Sequence, residues 1–173
     1  FFLLPFLEQF HKEYPRIKVT VTNAPTPETI CSLEEGKIDF GVVTTPFSCK
    51  STIHSMMVKP IGTVFIAGDS FGELKGKKLD YSILGSLPCI FLEKNTSTRA
   101  FMDAFLSAKG MELTPEFELA TSDMIVQFAK RNMGVGCVMD GFAKDAIAKG
   151  EVFELDFKEK MPLRHICVVT GEN

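Results

Sequence analysis

The stretch TSDMIVQFAKRNMGVGCVM, Thr121–Met139, places a helix pattern immediately before a strand pattern. Ser122 is a suitable N-cap residue, and Ile125 and Phe128 recur on one face of the predicted helix. The run GVGCVM that follows is apolar without alternation, which is typical of a strand buried on both faces. A helix that leads directly into a buried strand is the repeating unit of an α/β fold.

The same alternation continues on both sides of this stretch. Apolar spacing predicts a helix over 3–14, and a second helix in which Thr26 is the N-cap and Gly36 the stop. Further helices are predicted after the polar run at 95–98 and over FAKDAIAKG, which ends at Gly150. The predicted strands are IKVTVT (17–22), IDFGVVTT (38–45), TVFIAG (63–68), PCIFLE (88–93), EFELAT (116–121), VFELDF (152–157) and RHICVVT (164–170). Strands alternating with helices indicate an α/β architecture with a mainly parallel sheet.

The composition limits the classes of protein to which this chain can belong. Its 173 residues suit one domain or two small ones, and 45% of them are hydrophobic, which is enough for a buried core. A net charge of -3 gives no basic surface for nucleic acid. No apolar run reaches the roughly 18 residues of a membrane span. The opening FFLLPFLEQF lacks the features of a signal peptide, so the sequence is expected to start inside a folded element.

The five cysteines are dispersed and form no CxxC pair. Several have apolar neighbours, as in PCIFL, GCVM and ICVV, which is typical of buried free thiols. Free thiols persist in reducing compartments, so the sequence predicts a cytoplasmic protein.

An enzyme is a weaker alternative. The motif GDSFG (68–72) matches G-x-S-x-G and would make Ser70 the nucleophile of an esterase, with Asp156 and His165 as partners. However, the charged segment ELKGKKLD follows it, where a nucleophile elbow leads into a buried helix. The Gly-Asp-Ser esterases also carry Asp three residues before their histidine, and this position is Pro162. The histidines lack metal-ligand spacing, so no catalytic residue, metal or cofactor is predicted.

Hydroxyl side chains follow three of the predicted strands. In open α/β sheets small ligands bind beyond the carboxyl ends of strands, and helix N-termini there favour anions. For Thr121–Asp123 simple helix capping is the favoured interpretation. The run Asn95–Thr98 offers more hydrogen-bonding groups than capping requires, so a ligand site is predicted there, with Thr44 and Thr45 opposite it. The full set of candidate ligand-binding residues is Thr44, Thr45, Asn95, Thr96, Ser97, Thr98 and Thr121.

Several motifs together resemble one known family over essentially the whole chain. These are LLPFLEQFHKEYPRIKVTV near the start, LEEGKIDFGVV, GTVFIAGDSF and the stretch Thr121–Met139. In this order and spacing they resemble the effector-binding domain of the LysR-type transcriptional regulators. Met139-Asp140 stands where that family usually has Leu-Pro.

The resemblance implies two Rossmann-like subdomains of periplasmic-binding-protein type II architecture. The first would comprise residues 1–66 and 141–173 and the second residues 67–140, with crossovers near Ile66–Gly68 and Met139–Gly141. A small effector, commonly a carboxylate or other anion, would bind in the cleft between them. The resemblance also implies that DNA is bound only through a winged helix-turn-helix domain that this sequence does not contain. A solute-binding protein of a transporter shares the fold and is the competing class.

The resemblance further implies a homodimer, and tetramers for full-length proteins of the family. The first helix carries Phe2, Leu4 and Phe6 in addition to its core-facing stripe, and one helix cannot bury all of these against its own sheet. Antiparallel pairing would place it against the partner's helix around Asp123–Lys130. Within the site, Ser97 is expected to cap the helix and Arg99 to face solvent. Effector affinity is expected to depend on the hydroxyls more than on any charged side chain.

Overall fold

The computed structural model describes residues 2–171. Its helices are α1 (Leu4–Glu13), α2 (Thr26–Glu34), α3 (Ser97–Ser107), α4 (Ser122–Lys130) and α5 (Asp140–Ala148). Its strands are β1 (Phe40–Thr44), β2 (Ile53–Ile61), β3 (Thr63–Ala67), β4 (Lys78–Leu79), β5 (Cys89–Leu92), β6 (Phe117–Leu119), β7 (Val135–Met139), β8 (Phe153–Glu154), β9 (Asp156–Phe157) and β10 (Arg164–Gly171). Short 3-10 helices span Asp69–Leu74 and Tyr81–Ser86.

The strands form two main sheets. The smaller has the order β1-β10-β2 and is antiparallel throughout. The larger has the order β6-β5-β7-β3-β8; β5 is parallel to β6 and β7, whereas β3 is antiparallel to β7 and β8. A short parallel pair joins β4 and β9. The α/β class is therefore confirmed, but the pairing is mixed and the expectation of a mainly parallel sheet is wrong.

The larger sheet is covered on both faces because successive residues of its strands point to opposite sides. On β3, Phe65 packs with α3 residues such as Met102, while its neighbour Ile66 packs with α4 residues such as Ile125. The other central strands divide their side chains between the same two cores. This division explains why the central strands read as continuous apolar runs in the sequence.

The smaller sheet has a separate core. Ile30 and Leu33 of α2 pack against Val43, Cys167 and Val169 of the sheet. Helix α1 buries none of its residues, and Leu4 and Phe6 are 57% and 59% exposed. Two sheets with separate cores agree with the two-subdomain architecture of the periplasmic-binding-protein type II fold.

The chain crosses between the sheets at Gly62 and again between β9 and β10. The first crossing is held by α5, because the Asp140 carboxylate accepts a hydrogen bond from the Gly62 N–H at 3.0 Å. The chain returns to the smaller sheet later than the crossover predicted near Met139–Gly141. After that point α5 still packs on the larger sheet, and β8 pairs with β3 of that sheet. Residues 1, 172 and 173 of the predicted first subdomain lie outside the described residues.

The predicted strand IKVTVT is wrong. Residues 18–22 form no strand, and Ile17, Val19 and Val21 are exposed. A segment with period-two alternation forms a strand only where a neighbouring strand supplies backbone hydrogen bonds. No described strand pairs with this segment. Conversely, β2 was not predicted, because its interior positions are exposed and carry no alternation.

We predict that Gly136→Ala destabilises the protein by about 1–3 kcal/mol, because an added Cβ on β7 would collide with Cγ2 of the fully buried Ile125. Gly72→Ala is the matched control, since nothing lies within 4 Å of a Cβ at that position. The midpoint and slope of urea denaturation measure both variants. Equal stability of the two would show that β7 and α4 are less closely packed than described.

Candidate functional site

The first turn of α3 is built by Thr96. Its hydroxyl accepts a hydrogen bond from the Arg99 N–H at 3.3 Å and donates to the Glu93 carbonyl at 2.9 Å. Thr96 is therefore the N-cap, and the expectation that Ser97 serves as the cap is wrong. The reason is local: the residue with extended backbone geometry is Thr96, whereas Ser97 is already helical.

Because Ser97 does not cap the helix, its hydroxyl can contact the smaller sheet. Its Oγ lies 2.6 Å from Oγ1 of Thr44, at the end of β1. Thr26, in the first turn of α2, donates to the same Ser97 oxygen at 3.4 Å. Three hydroxyls from separate segments thus meet where the two sheets face each other. The structure brings Thr44 and Ser97 together, as the position of both after strand ends predicted.

Arg164, the first residue of β10, completes this cluster. Its Nη2 donates to Oγ1 of Thr98 at 2.8 Å, and its Nη1 makes longer contacts with Oγ1 of Thr44 at 3.5 Å and the Thr45 carbonyl at 3.4 Å. The guanidinium also lies over the ring of Phe101, 5.0 Å from its centroid. Arg164 is only 2% exposed, and this burial lowers the pKa of its guanidinium.

Sequence reasoning missed Arg164. A signal existed, because a charged residue opens the otherwise apolar strand RHICVVT. However, arginines before strands are usually solvated, and nothing local shows that this one lies under α3. Its position depends on the second crossing between the sheets.

The remaining candidates lie at the edge of the cluster or away from it. Thr45 continues the β1–β10 pairing, because its Oγ1 accepts from the His165 N–H at 2.9 Å. Asn95 is exposed and, within residues 2–171, makes no hydrogen bond to the cluster. Thr121 is the N-cap of α4 and accepts from the Met124 N–H at 3.4 Å, so the cap is Thr121 rather than Ser122. Thr121 therefore fits the capping interpretation that the sequence favoured.

Arg99 is buried, and the expectation that it faces solvent is wrong. Its side chain is 3% exposed, with Nε bonded to the Asp103 carboxylate at 2.9 Å. Its Nη1 donates to the Leu92 carbonyl at 2.8 Å and to Glu118 at 3.1 Å. These contacts tie the end of β5 to the first turns of α3, and so hold the hydroxyl run in place.

The described residues do not assemble the alternative catalytic site. Asp156 is paired with Lys78 at 2.7 Å, and no hydrogen bond within residues 2–171 joins Ser70, Asp156 and His165. Burial raises the pKa of Cys89 to about 11 and raises that of Cys137 as well, so both thiols are protonated at neutral pH. No group of three potential metal ligands, and no helix suited to crossing a bilayer, occurs in the described part of the chain.

Comparison with known proteins identifies the class to which this fold and site belong. The model of the LysR substrate binding domain matches residues 1–173. The chain therefore belongs to this family, and the match favours a regulator domain over the solute-binding protein of a transporter.

Individual relatives are distant in sequence and close in fold. The regulatory domain of CcmR from Synechocystis PCC6803, in complex with 2-PG, superposes with a TM-score of 0.84 at 18% identity, covering 98% of this chain and 81% of that one. The effector binding domain of QuiR in complex with shikimate gives 0.82 at 14% identity, with coverages of 99% and 81%.

Among curated sequences, the uncharacterized HTH-type transcriptional regulator YeiE of Escherichia coli (strain K12) is 19% identical over 155 residues, 89% of this chain and 52% of that protein. The chain thus spans about half the length of the curated relatives it matches.

We predict that Thr96→Ala and Thr121→Ala each lower the free energy of unfolding by about 1 kcal/mol, because each removes the side-chain acceptor at a helix N-terminus. Thr114→Ala, at an exposed position outside the helices and strands, should change it by less than about 0.5 kcal/mol. Chemical denaturation monitored by circular dichroism measures all three. A stable Thr96→Ala variant would return the capping role to Ser97.

Proposed function

We propose that this chain is the effector-sensing domain of a LysR-type transcription factor, and that it binds a small anionic metabolite between its two sheets. The observation that carries the proposal is the direct contact between Thr44 and Ser97, which places polar groups of both sheets around one point. Family membership supports it, since the regulatory domain of CcmR is in complex with 2-PG and the effector binding domain of QuiR is in complex with shikimate.

The site suits an anion for two physical reasons. Ser97 and Thr98 lie in the first turn of α3, where N–H groups without helical partners carry partial positive charge. The hydroxyls of Thr44 and Ser97 can both donate to the same ligand oxygen atoms. The proposed ligand-binding set remains Thr44, Thr45, Asn95, Thr96, Ser97, Thr98 and Thr121. Within it, Thr44, Ser97 and Thr98 are the residues that we place in contact with the ligand.

Ligand binding here would change the relation between the sheets. Thr44 and Ser97 now contact each other directly at 2.6 Å. A ligand oxygen that accepted from both hydroxyls, with two bonds of about 2.7 Å, would separate them to roughly 4–5 Å. The ligand therefore binds one arrangement of the sheets better than the other, and such differential binding shifts the equilibrium between two states of a regulator.

The partners proposed for the whole regulator follow from the same assignment. DNA is contacted in the cytoplasm by a winged helix-turn-helix domain outside this sequence. The effector-sensing domain is not an enzyme and acts through a change of conformation. Homodimers form through α1 and α4, and tetramers form in the full-length protein. The exposure of Leu4 and Phe6 on α1 supports this pairing, because exposed apolar side chains on a helix mark an interaction surface.

A thermal-shift screen of small carboxylates and phosphates, with shikimate among them, tests the proposal. Once a ligand is found, we expect Thr44→Val and Ser97→Ala each to raise its Kd by about ten-fold, because each substitution removes a hydrogen bond to a charged group. Calorimetry measures the loss, with Thr114→Ala, at an exposed position outside the helices and strands, as a control that leaves affinity unchanged. A ligand that binds both cleft variants as tightly as the parent would place the site elsewhere.

We predict that Phe6→Glu converts the dimer into a monomer, because a charge in a buried apolar contact is left without a partner. Sedimentation velocity at micromolar concentration measures the change. The control is Glu8→Gln, which alters an exposed charge on the same helix that is paired with Lys12. If the parent itself sediments as a monomer at high concentration, the proposed pairing is wrong.

A further inference from the structure

Two arginines among residues 2–171 are buried, and their surroundings differ. Arg99 is neutralised by the carboxylates of Asp103 and Glu118. Arg164 is buried to the same degree, yet no carboxylate within residues 2–171 lies at ion-pair distance from it. A buried charge without a counter-ion is unfavourable, since desolvation is not offset by attraction to an opposite charge.

The hydrogen bonds of Arg164 are also incomplete. A guanidinium has five N–H donors, and within the described residues only the bond from Nη2 to Thr98 is short, at 2.8 Å. The contacts of Nη1 with Thr44 and Thr45 are 3.4 Å or longer. The Nε atom is buried and has no hydrogen-bond partner among the described residues. Within the described residues, Arg164 therefore has N–H donors without a close acceptor and a positive charge without a counter-ion.

The neighbouring thiol does not supply the missing charge. Cys137 interacts electrostatically with Arg164, but burial raises the pKa of this thiol, so that it is neutral at physiological pH. The other contacts of the guanidinium with residues of the described part of the chain are with hydroxyls, a carbonyl and the ring of Phe101. All of these are uncharged.

We propose that Arg164 is the residue that binds the anionic group of the effector, and that the effector is consequently an oxyanion, either a carboxylate or a phosphate. This inference rests on the proposed function and departs from the expectation that effector affinity depends on the hydroxyls more than on any charged side chain. The Nε–H and one Nη–H of an arginine form a fork that matches two oxygens of such a group. Thr98 and Ser97 then supply hydroxyls beside the same oxygens.

The position of Arg164 also gives the anion a route to the rest of the domain. Arg164 begins β10, directly after the chain returns from the larger sheet, and its partner Thr98 belongs to α3 on the other side of the cleft. An anion bound by Arg164 and by the first turn of α3 would add charge-assisted hydrogen bonds to the existing bond between Arg164 and Thr98. These added bonds are stronger than the neutral hydroxyl contact between Thr44 and Ser97.

The competing explanation is that Arg164 only fixes β10 to α3. A purely structural arginine would affect stability and leave anion binding unchanged, so the two explanations predict different results. The test uses malonate, inorganic phosphate and the uncharged malonamide as probes, with sodium chloride at equal ionic strength as the reference. Each is titrated by calorimetry into the parent, Arg164→Lys, Arg164→Gln and Arg131→Gln.

Arg131→Gln is the matched control, because Arg131 is exposed on the surface beyond α4 and its removal changes the net charge equally. We expect malonate or phosphate, but not malonamide, to bind the parent and Arg131→Gln alike. Binding to Arg164→Gln should be weaker by about ten-fold or more. Arg164→Lys should be intermediate, because a lysine keeps the charge and loses the fork.

A second measurement needs no variant to fold. In the parent, the Nε–H resonance of Arg164 should move during titration with the anion that binds and stay in place with malonamide. The inference is overturned if that resonance does not respond, if Arg164→Gln binds the anions like the parent, or if neither anion binds the parent. Ligands that require Thr44 but not Arg164 would overturn the inference alone and leave the proposed function standing.

Discussion

The double crossing of the chain between its two sheets is the constraint on which the site depends. The chain leaves the smaller sheet at Gly62, where the Asp140 carboxylate holds the backbone, and returns to it at Arg164. Because the sheets are joined at two points, the end of β1 and the first turn of α3 must face each other. The contact between Thr44 and Ser97 is a consequence of this geometry, and so is the burial of Arg164 between α3 and β1.

The two sides of this cleft are built with different rigidity. On the α3 side, Arg99 is bonded to a backbone carbonyl and two carboxylates, and Thr96 caps the helix, so the polar run is held by contacts within the larger unit. Across the cleft, the contacts are the single hydroxyl bonds of Ser97 with Thr44 and Thr26, and the 2.8 Å bond from Arg164 to Thr98. The hydroxyl bonds are individually modest, which suits a contact that a ligand must replace.

Physical roles within the hydroxyl clusters divide along the same line. The hydroxyls of Thr96 and Thr121 accept hydrogen bonds from N–H groups at helix N-termini, and the hydroxyl of Thr45 accepts one that extends the β1–β10 pairing. Ser97 and Thr44 direct theirs across the cleft. Residues of one chemical type in neighbouring positions therefore do different work, and the difference lies in the backbone conformation at which each occurs.

The sequence by itself determined the alternation of helices and strands, because the local spacing of apolar residues indicates buried strands such as β7 and amphipathic helices such as α4. It also indicated that hydroxyls follow β1 and β5. Only the tertiary structure decided which of them meet, that IKVTVT is not paired as a strand, and that Arg99 and Arg164 are both buried. Pairing and burial depend on segments far apart in the chain, and local patterns contain no information about such neighbours. Arg164 shows this most directly, because its partners Thr44 and Thr98 lie 120 and 66 residues away in the sequence.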